Sequence, residues 1–362
     1  MIGTLPRTTF RFAPLTTRVL FGAGTRSALP EEVRAAGITR ALVLTTPHQA
    51  EMGASVAQGL GDLAAGQFTG AAMHTPVDVT ETAISALRAA RADGIVSVGG
   101  GSTIGLGKAL AARTDLPQVV LPTTYAGSEM TPILGETENG LKTTRSGPEI
   151  QPETVIYDVE LTRSLPVGMS VTSGINAIAH AVEALYATNG NPVMDALALE
   201  GIGALVSALP KFARTPDRMA AREEALYGAW LCGTCLGTVG MALHHKLCHT
   251  LGGSFGLPHA ETHTVVLPHA LAYNAPAVPE VIAALRPILG ADPAAGLHAL
   301  ARDLGAPTSL RALGLPEEAI ARATDLALQA RYPNPRALKE DAIRATLTRA
   351  WAGESPISEA WT

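Results

Sequence analysis

Six of the ten histidines lie close together, between positions 244 and 269. His245 and His249 are four residues apart, so a helix would bring them to the same face. His259 follows after a glycine-rich turn. Imidazoles bind transition metals and move protons near neutral pH. The spacing therefore predicts a metal-binding or acid–base site, with scattered surface or capping histidines as the alternative.

A second pair with the same spacing, Asn176 and His180, lies upstream on another predicted helix. Side chains from two helices could converge on one metal ion. A zinc-protease site is excluded, because the motif His-Glu-x-x-His is absent and the glutamate in 259–263 stands one position late.

Two polar turns follow predicted strands. The Gly-Gly-Gly-Ser turn at 99–102 opens a helix, where backbone N–H groups can approach a phosphate. It matches neither the dinucleotide fingerprint Gly-x-Gly-x-x-Gly nor a Walker A loop. A second turn at 123–128 follows the next strand, and together the turns predict a nucleotide site. The expected cofactor-binding residues are Gly99, Gly100, Gly101, Ser102, Thr123, Thr124, Tyr125 and Ser128.

The expected cofactor preference depends on Thr45, which we also predict to contact the cofactor. It stands where many NAD enzymes carry an acid for the ribose 2′-hydroxyl. Without that acid we expect both NADH and NADPH to be used, with specificities that differ by less than about a thousandfold.

The elements that carry these turns alternate between strands and helices up to about residue 160. Apolar runs without alternation predict a parallel sheet covered on both faces, where ligands bind beyond the carboxyl ends of the strands. After residue 161 helical patterns follow one another. We therefore predict a Rossmann-like α/β domain over 1–160 that binds NAD(P), and an all-α domain over 161–362 that carries the histidines. The four apolar runs are 40–47, 94–98, 118–122 and 154–158.

The segment Ala225–Leu243 has nineteen residues without a charge, close to the length of a membrane span. We interpret it as part of one buried helix, predicted over 216–243, whose glycines admit close neighbours. Cys232 and Cys235 lie inside it and are read as small buried side chains. No secretion signal is evident, so we expect a cytoplasmic protein. The net charge of −5 does not favour binding to nucleic acid or to an anionic membrane surface.

In their order along the chain, these motifs resemble the iron-containing alcohol dehydrogenase superfamily, with its dehydroquinate synthase-like fold. The resemblance rests on the turn at 99–102, the Thr-Thr-x-x-Gly-Ser-Glu segment at 123–129 and the histidine spacing, and it covers essentially the whole length. It implies that Lys142 lies near the cofactor. In metal-dependent members an aspartate and three histidines bind iron or zinc. The matching residues here are Asn176, His180, His245 and His259.

Asn176 departs from that ligand set and resembles the maleylacetate reductases of the superfamily, as do the segments 243–253, 257–263 and 332–336. The resemblance implies NADH- or NADPH-dependent reduction of maleylacetate to 3-oxoadipate in the breakdown of chlorinated aromatic and hydroxyquinol-type compounds. It also implies a small dicarboxylate substrate, including chlorinated analogues, and a homodimer. Because a neutral amide and three imidazoles hold a hard divalent cation poorly, we expect no metal.

For this reaction we expect hydrogen-bond donors to stabilise the charge that develops on the ketone oxygen. The expected donors are His245 and His259, assisted by His180 and Asn176. We expect His249 to protonate the enolate carbon, with a place in the lining of the nicotinamide pocket as its alternative. Candidates for binding the substrate carboxylates are Lys246, Arg331 and Arg336, and surface ion pairing is the alternative for each.

Three other functions remain open at this point. A metal-dependent alcohol dehydrogenase of the same superfamily would need its metal for activity. A lyase of the dehydroquinate synthase type would bind a metal and show no net consumption of NADH. A non-catalytic metal-binding protein would show no turnover at all.

Overall fold

The computed structural model describes residues 5, 7, 9–138, 141–329 and 331–358, with the backbone alone for 141 and 142. The described chain forms two compact units. The α/β unit is Pro14–Leu165. The helical unit runs from Pro166 onward and includes the described residues up to Ala13, although these precede the α/β unit in sequence.

The α/β unit contains one large sheet and one hairpin. Its strands are β1 (Arg18–Phe21), β2 (Ala41–Leu44), β3 (Ala64–Phe68), β4 (Gly94–Gly99), β5 (Gln118–Pro122), β6 (Ile133–Glu138), β7 (Leu141–Ser146) and β8 (Thr154–Tyr157). Six strands form a wholly parallel sheet in the order β1-β8-β5-β4-β2-β3, whereas β6 and β7 pair antiparallel. The predicted parallel sheet is confirmed, and β1, β3 and the hairpin are additions to it.

Helices cover both faces of the parallel sheet. They are α1 (Leu29–Ala35), α2 (Ala50–Leu60), α3 (Val77–Ala89) and α4 (Gly101–Thr114). Val43 and Val96 pack in one core with α1 and α2, whereas Leu42 and Ile95 pack in a second core with α3 and α4. Since successive side chains of a strand enter opposite cores, both sets are apolar, and the strands read as uninterrupted apolar runs.

The helical unit is arranged around one buried helix. Its helices are α5 (Val167–Leu185), α6 (Pro192–Arg214), α7 (Met219–Thr238), α8 (Leu243–Phe255), α9 (His259–Asn274), α10 (Pro279–Leu289), α11 (Pro293–Asp303), α12 (Ala319–Gln329) and α13 (Glu340–Ala352). Every residue of α5 from Ser170 to Leu185 is buried, and the helix packs against α6, α7 and α9. The polar residues on α5 are therefore held inside the unit, where they need partners.

The glycines of the apolar segment allow α6 and α7 to approach closely, as predicted. A Cβ atom on Gly228 would lie 2.9 Å from the carbonyl oxygen of Gly201. Cys232 and Cys235 are buried on α7, and burial raises the pKa of the Cys235 thiol to about 12. By length and composition, α6 and the pair α7–α8 also qualify as membrane spans. Apolar helices of this kind also occur in the interior of large folded proteins.

The prediction of one continuous helix over 216–243 is wrong. The helix α7 ends at Thr238, α8 begins at Leu243, and the two helices are bent by 93°. The backbone is extended at Val239, and the Gly240 N–H donates to Oδ1 of Asn189, so a side chain replaces a helical acceptor. Hydrophobicity hides this break because both helices are apolar and largely buried.

Candidate active site

The first predicted cofactor turn lies at the junction of β4 and α4. Gly99 ends β4 and Gly100 precedes α4, whose first turn contains Gly101 and Ser102. Gly100, the residue before α4, has no side chain that could cap the helix. The N-terminus of a helix carries partial positive charge and unpaired N–H groups, so it suits an anion such as a phosphate.

The second predicted turn lies against the first. The Thr123 N–H donates to the carbonyl oxygen of Gly99 over 3.0 Å, and a Cβ atom on Gly100 would lie 2.7 Å from Cγ2 of Thr124. The structure therefore brings Gly99, Gly100, Thr123 and Thr124 together. Glycine at position 100 is explained by the lack of space for a side chain there.

Other residues predicted to bind the cofactor are placed differently. Thr45 and Tyr125 are fully buried, and the Thr45 N–H donates to the carbonyl oxygen of Phe68. Ser128 begins a 3₁₀ turn, and its carbonyl oxygen accepts a hydrogen bond from a lysine. The side chain of Lys142 is outside the described part of the chain.

Lys108 is the lysine that holds the second turn, and sequence reasoning missed this role. Its side chain lies buried on α4, and Nζ donates to the carbonyl oxygens of Ser128 and Ile133 and to Oγ1 of Thr131. Burial lowers the pKa of Lys108 to about 7, although the nearby charge of Glu129 opposes the shift. Lys108 thus links the helix of the first turn to the backbone of the second.

The helical unit gathers six histidines from three helices. His180 lies on α5; His244, His245 and His249 lie on α8; His259 and His263 lie on α9. Four of them are buried, whereas His249 and His259 are exposed. We call these six residues the histidine cluster. The predicted convergence of histidines from two separate stretches of sequence is therefore present in the fold.

Two pairs of imidazoles form the centre of the histidine cluster. Nδ1 of His180 lies 2.8 Å from Nε2 of His245, and Nε2 of His244 lies 2.9 Å from Nδ1 of His263. The His245 and His263 rings are 5.1 Å apart, so the pairs adjoin. Burial, reinforced by neighbouring imidazoles, lowers the pKa of His244 and of His263 well below the usual range, which keeps both rings neutral.

The exposed histidines border these pairs. The His249 ring centroid lies 6.2 Å from that of His245, and the His259 centroid lies 4.3 Å from that of His263. Asn176 is buried one helical turn before His180 on α5. All five residues predicted to act in catalysis therefore belong to the helical unit, and the four histidines among them lie in the histidine cluster.

A buried carboxylate, Glu183, completes the cluster and was missed from the sequence. It lies on α5, three residues after His180, and its Oε2 is 2.7 Å from Nδ1 of His245. It also accepts hydrogen bonds from backbone N–H groups at the start of α8. Only the i, i+3 spacing from His180 could have drawn attention to it.

A trio of possible ligands, His244, Cys248 and His263, also lies in the cluster. The sulfur of Cys248 is 3.7 Å from Nε2 and 4.0 Å from Nδ1 of His244, so it faces the edge between the two nitrogens. Nε2 of His244 is already directed at His263. The Cys248 thiol thus packs against the His244 ring, and burial raises the pKa of this thiol well above its usual range.

The three candidate carboxylate-binding residues differ in their surroundings. Arg336 donates from Nη1 to the carbonyl oxygen of Tyr273, and its guanidinium lies 4.8 Å from the centroid of the Tyr273 ring. That side chain anchors the segment after α12. Arg331 is exposed and Lys246 is partly exposed.

Comparison with known proteins identifies the family. Residues 16–159 match the model of the iron-containing alcohol dehydrogenases, and residues 170–351 match the C-terminal model of the same family. The chain belongs to the iron-containing alcohol dehydrogenase family, and it is an NAD(P)H-dependent oxidoreductase.

Several similar proteins carry the name of one particular enzyme within this family. The maleylacetate reductase of Rhizobium sp. strain MTP-10005 is 57% identical over 96% of this chain and 99% of its own length. That of Pseudomonas knackmussii is 55% identical over 94% and 97%. The crystal structure of maleylacetate reductase from Agrobacterium tumefaciens matches with a TM-score of 0.93 at 55% identity, covering 97% of this chain and all of that one. An iron-containing alcohol dehydrogenase from Corynebacterium glutamicum gives 0.91 at 42% identity, covering 97% and 99%.

The prediction that no metal binds is wrong, because membership of the iron-containing family implies a bound metal. That prediction weighed the neutral Asn176 and overlooked Glu183. A carboxylate bonded to the second nitrogen of a ligating imidazole fixes the ring and raises its basicity. With Nδ1 of His180 only 2.8 Å from Nε2 of His245, the donor set suits Fe²⁺ or Zn²⁺.

Proposed function

We propose that this chain is a maleylacetate reductase, which reduces the carbon–carbon double bond of maleylacetate to give 3-oxoadipate. The main support is the identity of 51–57% with maleylacetate reductases over at least 94% of this chain. The reaction would serve the catabolism of chlorinated aromatic and hydroxyquinol-type compounds.

The reaction needs one hydride and one proton. Hydride from C4 of NADH or NADPH adds to the alkene carbon β to the ketone, which breaks the C=C π bond and yields NAD(P)⁺. The electron pair moves toward the ketone oxygen and forms an enolate. A proton then adds to the carbon α to the ketone and restores the C=O bond. The protein must therefore stabilise an oxyanion and supply an acid.

The residues that would hold the metal are His180, His245 and His259, together with the Asn176 side chain. When bound, the metal supplies Lewis-acid stabilisation of the ketone oxygen. Assigning these residues to the metal replaces their expected role as direct hydrogen-bond donors to the oxygen. Buried partners fix His180 and His245 in the fold, and such rigid placement favours a single productive geometry.

His249 is our candidate for the acid. It is exposed, so it can take a proton from water, and it is on the same helix as His245 and one turn away. A histidine with access to solvent can return to its protonated form after each turnover. The buried neutral rings of His244 and His263 are poorly suited to this step.

We propose that Lys246 and Arg331 bind the substrate carboxylates. Arg336 is less suited, since its guanidinium is bonded to the backbone at Tyr273 and stacked on that ring. Chlorinated analogues of maleylacetate would keep both carboxylates and hence the same contacts.

We propose further that the α/β unit, Pro14–Leu165, is the NAD(P)-binding domain and that the helical unit supplies the histidine cluster for the reaction. These bounds replace the predicted ones of 1–160 and 161–362, because the described residues up to Ala13 group with the helical unit. The backbone turns at 99–102 and 123–128, with Thr45 and Lys142, would contact the cofactor. We place the protein in the cytoplasm as a homodimer, in keeping with a small-molecule substrate and a cofactor found there.

The test of the proposed function is to follow NADH absorbance with purified protein and maleylacetate, beside simple alcohols and ketones. We expect NADH oxidation with maleylacetate and formation of 3-oxoadipate in equal amounts. Turnover of alcohols or ketones instead would favour a general alcohol dehydrogenase. Substrate conversion without net NADH consumption would favour a lyase, and either result would refute the proposal.

A further inference from the structure

Glu183 receives more hydrogen bonds than a single capping residue usually does. Its two oxygens accept from the backbone N–H groups of Ala242, His244 and His245 at 2.8, 2.8 and 3.4 Å. The same carboxylate is bonded to Nδ1 of His245, and the Tyr186 hydroxyl donates to Oε1 over 3.4 Å. Its side chain is fully buried, so these protein groups replace water.

These contacts make Glu183 a cap supplied by another helix. The first N–H groups of a helix lack partners within that helix, and the residue that precedes α8, Ala242, has no polar side chain to cap them. Glu183 accepts three hydrogen bonds at this helix start, and Oδ1 of Asn334 accepts a fourth, from Leu243, at 3.4 Å. The negative charge also suits the positive end of the helix dipole.

The direction of these hydrogen bonds fixes the protonation of His245. A carboxylate is an acceptor only, and the backbone amides can only donate to it. Nδ1 of His245 must therefore carry the hydrogen that points at Glu183. In the neutral ring, which is the form that can bind a metal ion, Nε2 then holds a lone pair, and that lone pair faces Nδ1 of His180 at 2.8 Å.

We propose that Glu183 is a positioning residue that caps α8 and, through the same carboxylate, locks His245 in its Nδ1–H tautomer with the Nε2 lone pair turned to His180. One anchor thus sets both the start of the helix and the chemical form of a histidine on it. The Nε2 lone pair is also the one that a metal ion would use. Only the kinetic readout rests on the proposed function.

Two variants are informative, Glu183→Gln for the charge and Glu183→Leu for the tautomer. In Glu183→Gln the side chain keeps one oxygen but presents an NH₂ group where a second acceptor stood. The NH₂ group can turn to the Tyr186 hydroxyl, which can accept, while the oxygen stays on Nδ1 of His245, so Glu183→Gln removes the charge without forcing the tautomer to change. Glu183→Leu has no acceptor at all and removes the partner of the Nδ1 hydrogen. Glu183→Asp keeps both acceptor oxygens and so preserves the original tautomer.

The tautomer is read by NMR of ¹⁵N-histidine-labelled protein, both metal-free and loaded with Zn²⁺, with the His245 signals assigned by their loss in His245→Asn. We expect Nδ1–H in the wild type and in Glu183→Asp, and a population of Nε2–H in metal-free Glu183→Leu. A wild-type ring protonated at Nε2 overturns the proposal, and that measurement does not require any variant to fold. A folded Glu183→Leu that keeps His245 wholly in the Nδ1–H form overturns it as well.

Kinetics separate positioning from a merely structural effect. We expect Glu183→Gln to lower kcat about 10- to 100-fold, the usual cost of losing a carboxylate behind a functional histidine, with KM for NADH changed less than about twofold. The control is Asp195→Asn, which removes another buried carboxylate of the helical unit, bonded to Arg7, and should retain kcat within about threefold. Equal losses in both variants would contradict the positioning role. A wild type that is inactive on maleylacetate would refute the proposed function and leave the tautomer test unaffected.

Discussion

The turns at 99–102 and 123–128 of the α/β unit and the histidine cluster of the helical unit are built in different ways. At the turns, Gly99 and Gly100 lack side chains because Thr103 and Thr124 fill the space beside them, and this lets the backbone of the two turns pack closely. In the cluster, side chains from α5, α8 and α9 contact one another in the interior. A backbone site depends on space and tolerates many ligands of similar charge. A side-chain network depends on each partner, and so it can specify one chemistry.

The largest expected effect in this comparison is in the histidine cluster. We expect His249→Ala to lower kcat about 10²- to 10⁴-fold, the usual contribution of a general acid, while KM for NADH stays nearly constant. Steady-state rates with maleylacetate measure both constants. His48→Ala, which changes an exposed histidine of the α/β unit, is the control and should behave as the wild type. A loss of less than about tenfold would remove His249 from the role of acid.

At the turns we expect a change in KM for NADH instead of a change in kcat. A Cβ atom in Gly100→Ala would lie 2.7 Å from Cγ2 of Thr124, so the Thr124 side chain must move and disturb the second turn. We expect KM for NADH to rise about 10- to 100-fold, as if one charge-assisted hydrogen bond worth about 1.5–3 kcal/mol were lost, with kcat at saturating NADH nearly unchanged.

Gly59→Ala is the matched control for this variant. Gly59 lies on α2 in the same unit, and an added Cβ would meet no described atom within 4 Å. Alanine there should leave KM unchanged and favour the helix slightly. If Gly100→Ala lowered kcat and spared KM, the turns would not form the cofactor site.

The smallest expected effect concerns the metal. In Asn176→Asp a carboxylate replaces an amide among imidazoles, so we expect affinity for Fe²⁺ or Zn²⁺ to rise at least about tenfold, the lower end of the effect of an outer-shell carboxylate. Calorimetric titration of the metal-free protein measures it. Asn189→Asp adds the same charge near the break between α7 and α8 and should not alter the affinity. Equal affinities in wild type and Asn176→Asp would show that position 176 is no ligand.

The sequence predicted those parts of the molecule that produce a recognisable pattern among neighbouring residues. Covered parallel strands appear as unbroken apolar runs, the turns that follow them as glycines and polar residues, and paired histidines as spacings of four. His245 and His180 could therefore be named, and the structure brings them within 2.8 Å. Family resemblance supplied the order in which these features belong together.

The parts that sequence reasoning missed depend on contacts between distant residues. Glu183 looks like an ordinary helix residue until the start of α8, about sixty positions later, meets it. Lys108 likewise looks like a surface charge until its three acceptors are seen. The break between α7 and α8 was missed for the same reason, because backbone groups there find partners on other segments.

Arg7 gives the N-terminal segment a practical importance. Its guanidinium bonds to Asp195 and to the carbonyl oxygens of Leu185 and Ala187, at the end of the helix that carries His180 and Glu183. Carbonyl groups at the end of a helix have no N–H donors within that helix, so the guanidinium supplies them. Trimming residues before Ala13, or placing a purification tag directly beside Arg7, would loosen the end of α5. Leaving this segment native during expression therefore protects the histidine cluster, although the segment itself supplies no reactive group.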